Sequence, residues 1–180
     1  IRICLVGSEM CIRDSVTVFD ESMHEGVFER LELKADLGRA LEEAQLLLHY
    51  QPVVDIQTGQ IAGLEALMRW SHPERGMVGP GTFIPLAEET GLIVPIGRWL
   101  IREALAQLAT WQQRDSHQPP LTMAINLSGR QLEEPDIVQD IAAGIDLAGV
   151  DPSTVIIELT ESILVEDFPE LVERLDAIRD

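Results

Sequence analysis

Apolar residues recur along this chain at two spacings, and the change from one to the other marks its elements. Over 61–70 every second residue is apolar: Leu64, Ala66, Met68 and Trp70 make one face, and Gly63, Glu65, Leu67 and Arg69 the other. That alternation predicts a half-buried strand with a carboxylate and a guanidinium on the side away from the apolar stripe. A strand is also predicted over 46–55. The short polar turn at 55–60, which contains Gly59, makes the two an antiparallel hairpin. Residues 72–81 are rich in Pro and Gly and read as loop. Helical spacing then takes over at 83–89 and 96–113, where Trp99, Leu100, Ala104, Leu105, Leu108 and Trp111 trace one stripe. Pro119-Pro120 breaks the chain before a third strand at 121–127, and Pro135 opens a helix over 136–148. A fourth strand at 155–159 and a last helix from about Pro169 complete the series. Upstream, 21–44 keeps helical spacing through Met23, Val27, Leu31, Leu37 and Leu41.

After the hairpin, helix and strand alternate, which is the rhythm of a β/α barrel or a doubly wound sheet. A β/α barrel needs eight strands over about 250 residues. The pattern here, four strands in 180 residues, predicts half of one.

Composition changes this picture in three places. The formal net charge of -18 argues against binding a nucleic acid polymer, which calls for a basic stripe. It also means that an anionic substrate would need metal ions or well-placed Arg and Lys. No apolar run approaches a membrane span and no signal-peptide pattern opens the chain, so the expected location is the cytoplasm, with any membrane anchor outside this stretch. Residues 5–15 resemble one reading frame of an adapter used in sequencing libraries, and 1–15 are therefore set aside from the fold reading. Both cysteines, Cys4 and Cys11, fall there, leaving no disulfide frame or thiolate site in the remainder.

Barrel enzymes carry their reactive groups at the carboxyl ends of strands. The strand ends here offer Glu65 and Arg69, then Asn126, then Glu158 and Glu161. A carboxylate such as Glu158, following the apolar run Val155-Ile156-Ile157, is costly to bury unless paired, hydrogen-bonded or bound to a cation. Glu, Asn and Glu are hard oxygen donors that suit magnesium or manganese better than zinc. The histidines do not compete: His24 and His117 read as surface, His72 as loop, and His49 shares a strand face with Gln51.

Tyr50-Gln51-Pro52, Glu65-Ala66-Leu67 followed by Met68-Arg69-Trp70, and Phe83-Ile84-Pro85-Leu86-Ala87-Glu88-Glu89-Thr90-Gly91-Leu92-Ile93 together closely resemble the EAL family of cyclic di-GMP phosphodiesterases. Ala124-Ile125-Asn126-Leu127-Ser128 and Ile157-Glu158-Leu159-Thr160-Glu161-Ser162 extend the match. The resemblance implies an α/β fold: a TIM-like (β/α)8 barrel of the EAL type with an antiparallel first strand pair, truncated here after about four strands. With residues 1–15 set aside as adapter-like, it divides the rest into 16–35, a helical linker after an upstream domain, and 36–180, the N-terminal part of the EAL domain. It implies two magnesium or manganese ions held through Glu65, Asn126 and Glu158, substrate contacts from Gln51 and Arg69, and a catalytic-loop role for Glu161. The implied activity is hydrolysis of cyclic di-GMP to linear pGpG in bacterial second-messenger signalling. The family continues with an aspartate pair, a lysine and a further glutamate, so a fragment ending at Asp180 is expected to be inactive alone. The alternative is an inactive EAL-type receptor that binds the nucleotide without cutting it. The implied partners are cyclic di-GMP, a second copy in a homodimer of the complete protein, and an upstream GGDEF or sensor domain.

Overall fold

The structure, a computed structural model, describes residues 2–6, 21–114, 119–160 and 169–179, and side chains within 28–114, 119–159 and 172–179. The elements are β1 (Arg2–Val6), α1 (Glu21–Ala40), β2 (Leu46–Val54), β3 (Ile61–His72), β4 (Gly76–Val78), α2 (Pro80–Thr90) and α3 (Ile93–Arg114). They continue with β5 (Thr122–Leu127), α4 (Gly129–Leu132), α5 (Ile137–Ala148), β6 (Val155–Thr160) and α6 (Pro169–Arg179). The strands form one six-stranded sheet in the order β1-β6-β5-β3-β2, with β4 paired to the end of β3.

β2 and β3 are the expected antiparallel hairpin, with Gln51 opposite Glu65 and Leu46 opposite Trp70. Its turn is held by Asp55, whose Oδ1 accepts from the Gln57 and Thr58 amides at 2.9 and 2.8 Å. Those bonds from Thr58 hold the Asp55 carboxyl below the usual carboxylate range. The β3–β5 and β5–β6 pairs are parallel, with helices between the strands. Gly63 is needed where β3 meets β5, because a Cβ there would lie 2.0 Å from Thr122 Oγ1.

The helices cover one face of the sheet. On that face Ala66, Met68 and Trp70 of β3, Met123, Ile125 and Leu127 of β5, and Val155, Ile157 and Leu159 of β6 are buried. They meet the stripe of α3, with Leu100, Ala104, Leu105 and Leu108 also buried. Trp70 is central: fully buried, edge-on to Phe83 of α2 at 6.1 Å, with Nε1 donating to Gln45 Oε1 at 3.0 Å. Tyr50 also turns to this side and meets Trp111 edge-on at 4.8 Å. Burial, then the Glu103 charge, pushes its hydroxyl up to about 12.

Three expectations need correction. The stretch 72–81 is not all loop: β3 runs on to His72, Gly76 turns at φ +67, and β4 brings Val78 opposite Trp70. Burying Val78 beside the indole outweighs the local Pro and Gly content. His72 is therefore a buried strand end, with Nε2 donating to Asp36 Oδ2 of α1 at 3.1 Å and Nδ1 accepting from the Glu74 and Arg75 amides. Asp136 is the N-cap of α5, which puts Pro135 outside that helix, and the short helix α4 stands between β5 and α5. Of the set-aside N-terminal stretch, residues 2–6 are described, and they form β1. Residues Arg2–Val6 pair in parallel with β6, Ile3 level with Ile157, satisfying the backbone groups on its outer edge. That pairing concerns conformation and says nothing of where the residues come from.

α1 is strapped to α2 and to the turn between β3 and β4. Leu33, Leu37 and Ala40 are buried, and Arg75 pairs with Glu29 and Glu32. Arg30 and Lys34 both reach Glu89 of α2, the latter at 2.6 Å.

Candidate active site

Because β3, β5 and β6 are parallel, their carboxyl ends meet at one edge, and the register decides which polar residues stand together. Asn126 is level with Glu158, and Glu65 is level with Ala124, two residues before Asn126. Side chains two apart share a face, so Glu65, Asn126 and Glu158 all project from the face that the helices leave open. Asn126 Nδ2 donates to Glu65 Oε1 at 2.9 Å, which leaves Asn126 Oδ1 able to accept another partner.

Glu158 responds to this setting. Burial raises its carboxyl above the ordinary carboxylate range, and the Glu65 charge raises it further. Two carboxylates close enough to repel, with an amide oxygen beside them, suit a hard divalent cation such as magnesium or manganese. Among the described residues no group of three His, Cys, Asp or Glu could hold a metal. An ion here would therefore complete its shell from water, substrate or residues outside the described ranges.

Arg69 lies half-buried on the same face of β3, its Nη1 donating to the Met68 carbonyl at 2.8 Å. Gln51, opposite Glu65 on β2, is exposed and shares that open face. Glu161 lies outside the described residues. Between the ends of β3 and β5 and the helices α2 and α3 is a cavity of about 310 Å³, to which Glu65, Arg69 and Asn126 contribute. The sequence reading assigned no role to two further residues of its lining, Glu88 and Ser128. Ser128 Oγ is buried with no hydrogen-bond partner among the described residues.

The family model described as "EAL domain" matches residues 34–180. This chain belongs to the EAL domain family. The EAL domain here is 41% identical over 155 residues to the bifunctional diguanylate cyclase/cyclic di-GMP phosphodiesterase MucR of Pseudomonas aeruginosa, covering 86% of this chain and 22% of that protein. It is also 41% identical over 155 residues to the cyclic di-GMP phosphodiesterase PdeR of Escherichia coli, covering 86% of this chain and 23% of the relative. Among solved structures, the phosphodiesterase PaMucR in complex with c-di-GMP superposes with a TM-score of 0.76 at 39% identity, over 82% of this chain and 59% of that one. The chain thus spans less than a quarter of the length of these curated relatives. The TIM-like EAL fold expected from the sequence is the fold of this neighbour.

Proposed function

We propose that this EAL domain, within its full-length protein, hydrolyses cyclic di-GMP to linear pGpG with two magnesium or manganese ions held through Glu65, Asn126 and Glu158. The observation that carries this reading is the row of those three oxygen donors at the ends of adjacent parallel strands, joined by the 2.9 Å Asn126–Glu65 bond. The names of the two relatives and the c-di-GMP complex of the structural neighbour support it. Bound divalent ions supply Lewis-acid polarisation of the phosphodiester and lower the pKa of an attacking water.

The chain's own residues do the rest. Glu65 and Glu158 bring the negative charge that fixes the cations, and Asn126 orients Glu65 by donating to one of its oxygens. Arg69 meets a phosphate oxygen, Gln51 steadies the nucleotide from the neighbouring strand, and Glu161 holds the loop after β6. Residues 16–35 form the connector to an upstream GGDEF or sensor domain, a reading supported by the bifunctional relative. The complete protein works as a homodimer in the cytoplasm; among the described residues no helix is long and apolar enough to cross a membrane.

The test is pGpG production by the full-length protein in magnesium or manganese. Chelation stops it, and Glu65→Gln lowers turnover by roughly a hundred- to a thousandfold while the fold persists. Tight binding of cyclic di-GMP without any pGpG would overturn the hydrolytic reading in favour of a receptor.

A further inference from the structure

Three polar side chains are buried among the described residues: His72, Thr154 and Gln131. His72 is held by Asp36, and Thr154 by the Asp151 carbonyl. Gln131 stands just past the end of β5, at the third position of α4, in the stretch Ser128-Gly129-Arg130-Gln131. Its Oε1 accepts from the Ser128 amide at 3.0 Å, and the Ser128 carbonyl accepts from the Gln131 and Leu132 amides at 3.1 and 3.2 Å. This is the reaching-back half of a capping box, which the Ser-x-x-Gln spacing permits. The backbone of Ser128 is thereby fixed at both its N–H and its C=O. The Gln131 side chain is seated against α3 at buried Gly97, where a Cβ would fall on the amide nitrogen and lie 2.9 Å from Cδ. Glycine at 97 is what admits the amide. On the other side, Arg174 of α6 donates to the Leu132 carbonyl.

Ser128 follows Asn126 by two residues, so whatever fixes Ser128 sets how the end of β5 presents Asn126. Asn126 Nδ2 reaches Glu65 Oε1 at 2.9 Å, a bond between two strands that tolerates little shift at the strand end. We propose, on the metal reading above, that Gln131 seated on Gly97 is a positioning residue for the cation site. By holding the Ser128 amide it keeps Asn126 aimed at Glu65 and at the ions. Groups behind metal ligands commonly act this way, orienting the donors and so tuning affinity. The one side-chain acceptor of Gln131 is engaged by the Ser128 amide, which sets it apart from the ligand row of Glu65, Asn126 and Glu158.

The test measures manganese binding to the full-length protein from the EPR signal of the free ion, before any nucleotide is added. The binding that Glu65→Gln abolishes is the signal of this site. Gln131→Ala leaves the Ser128 amide without its acceptor, and Gly97→Ala pushes the Gln131 amide away from it. Each is expected to weaken that binding roughly tenfold and to lower the melting temperature. In the double variant Gly97→Ala/Gln131→Ala, the new methyl occupies the room that the amide has left, and α3 gains a better helix former. Its melting temperature should return to within about 2 °C of the parent while manganese binding stays roughly tenfold weak. Packing alone predicts the contrary, with affinity recovering as stability does, and that result overturns the assignment. Parent-like binding in Gln131→Ala also overturns it, and leaves the metal reading standing. If Glu65→Gln abolishes no manganese binding, the metal reading itself fails and the positioning role falls with it.

Discussion

The two faces of the same three strands obey opposite rules. On the helix side of β3, β5 and β6, the residues from Ala66 to Trp70, Met123 to Leu127 and Val155 to Leu159 that face the helices are apolar and buried. On the other side, one residue away at every step, stand Glu65, Arg69, Asn126 and Glu158, all half-buried. The first face returns stability for every methylene it removes from water. The second holds two carboxylates near enough that Glu65 raises the proton affinity of Glu158, a repulsion that a folded protein keeps only because the first face offsets it. One alternating sequence therefore separates the groups that hold the domain together from the groups that would act on a ligand, by no more than the width of a strand.

The largest effect should come from the packed face. Trp70→Ala empties the space between β3 and α2 and is expected to cost about 3–5 kcal/mol in urea unfolding. Leu67→Ala, on the open face of the same strand, should cost about 1 kcal/mol. Equal costs for the two would break the comparison. Next, Arg69→Ala in the full-length protein should raise KM for cyclic di-GMP by roughly tenfold or more with kcat changed only a few-fold, and with little change in melting temperature. A collapse of stability instead would make Arg69 structural.

A smaller effect tests the repulsion itself. The Glu158 carboxyl is raised above its unfolded value, so the folded state binds its proton more tightly than the unfolded chain does. Its contribution is fully present below the unfolded pKa and is lost as pH rises through the raised folded value. In metal-free protein, Glu158→Gln should therefore raise the melting temperature at pH 7, by on the order of 1–2 °C after solvent screening, with no gain near pH 3. In saturating magnesium the sign should reverse, because the variant has lost a ligand. A gain of equal size at both pH values would mean the charge is not its source. The smallest thermal effect belongs to the sheet edge. Deleting residues 1–15 from this chain removes β1 and should shift the melting temperature by no more than about 2 °C, while light scattering rises as the β6 edge is left unpaired. A large thermal loss would make β1 an integral part of the core.

Much of this was legible beforehand because it is local. The alternation in 61–70 assigns each side chain of β3 to its face, and the stripe of α3 follows from helical spacing. The failures were at places where a distant partner overrides local preference. Gly76–Val78 joins the sheet because Trp70 needs cover. His72 is buried because Asp36, on a helix 36 residues earlier, meets its ring. The quoted run Ala87-Glu88-Glu89 gave no sign that one glutamate faces a cavity and the other a helix, since both are ordinary helix residues and only the position of α1 separates them.

By itself, the sequence determined the period of each element, the hairpin, the membership in the EAL family and the polar residues at each strand end. These depend on covalent geometry and on side-chain order, which any reader of the chain shares with the chain. Only the tertiary structure decided that Asn126 donates to Glu65, that Glu158 feels the Glu65 charge, that Glu88 lines the cavity with Glu65, Arg69 and Asn126, and that Arg2–Val6 lies against β6. Each of these turns on strand register and on which helix packs where. Such choices are settled by contacts summed over residues far apart in the chain, and no local window contains both partners.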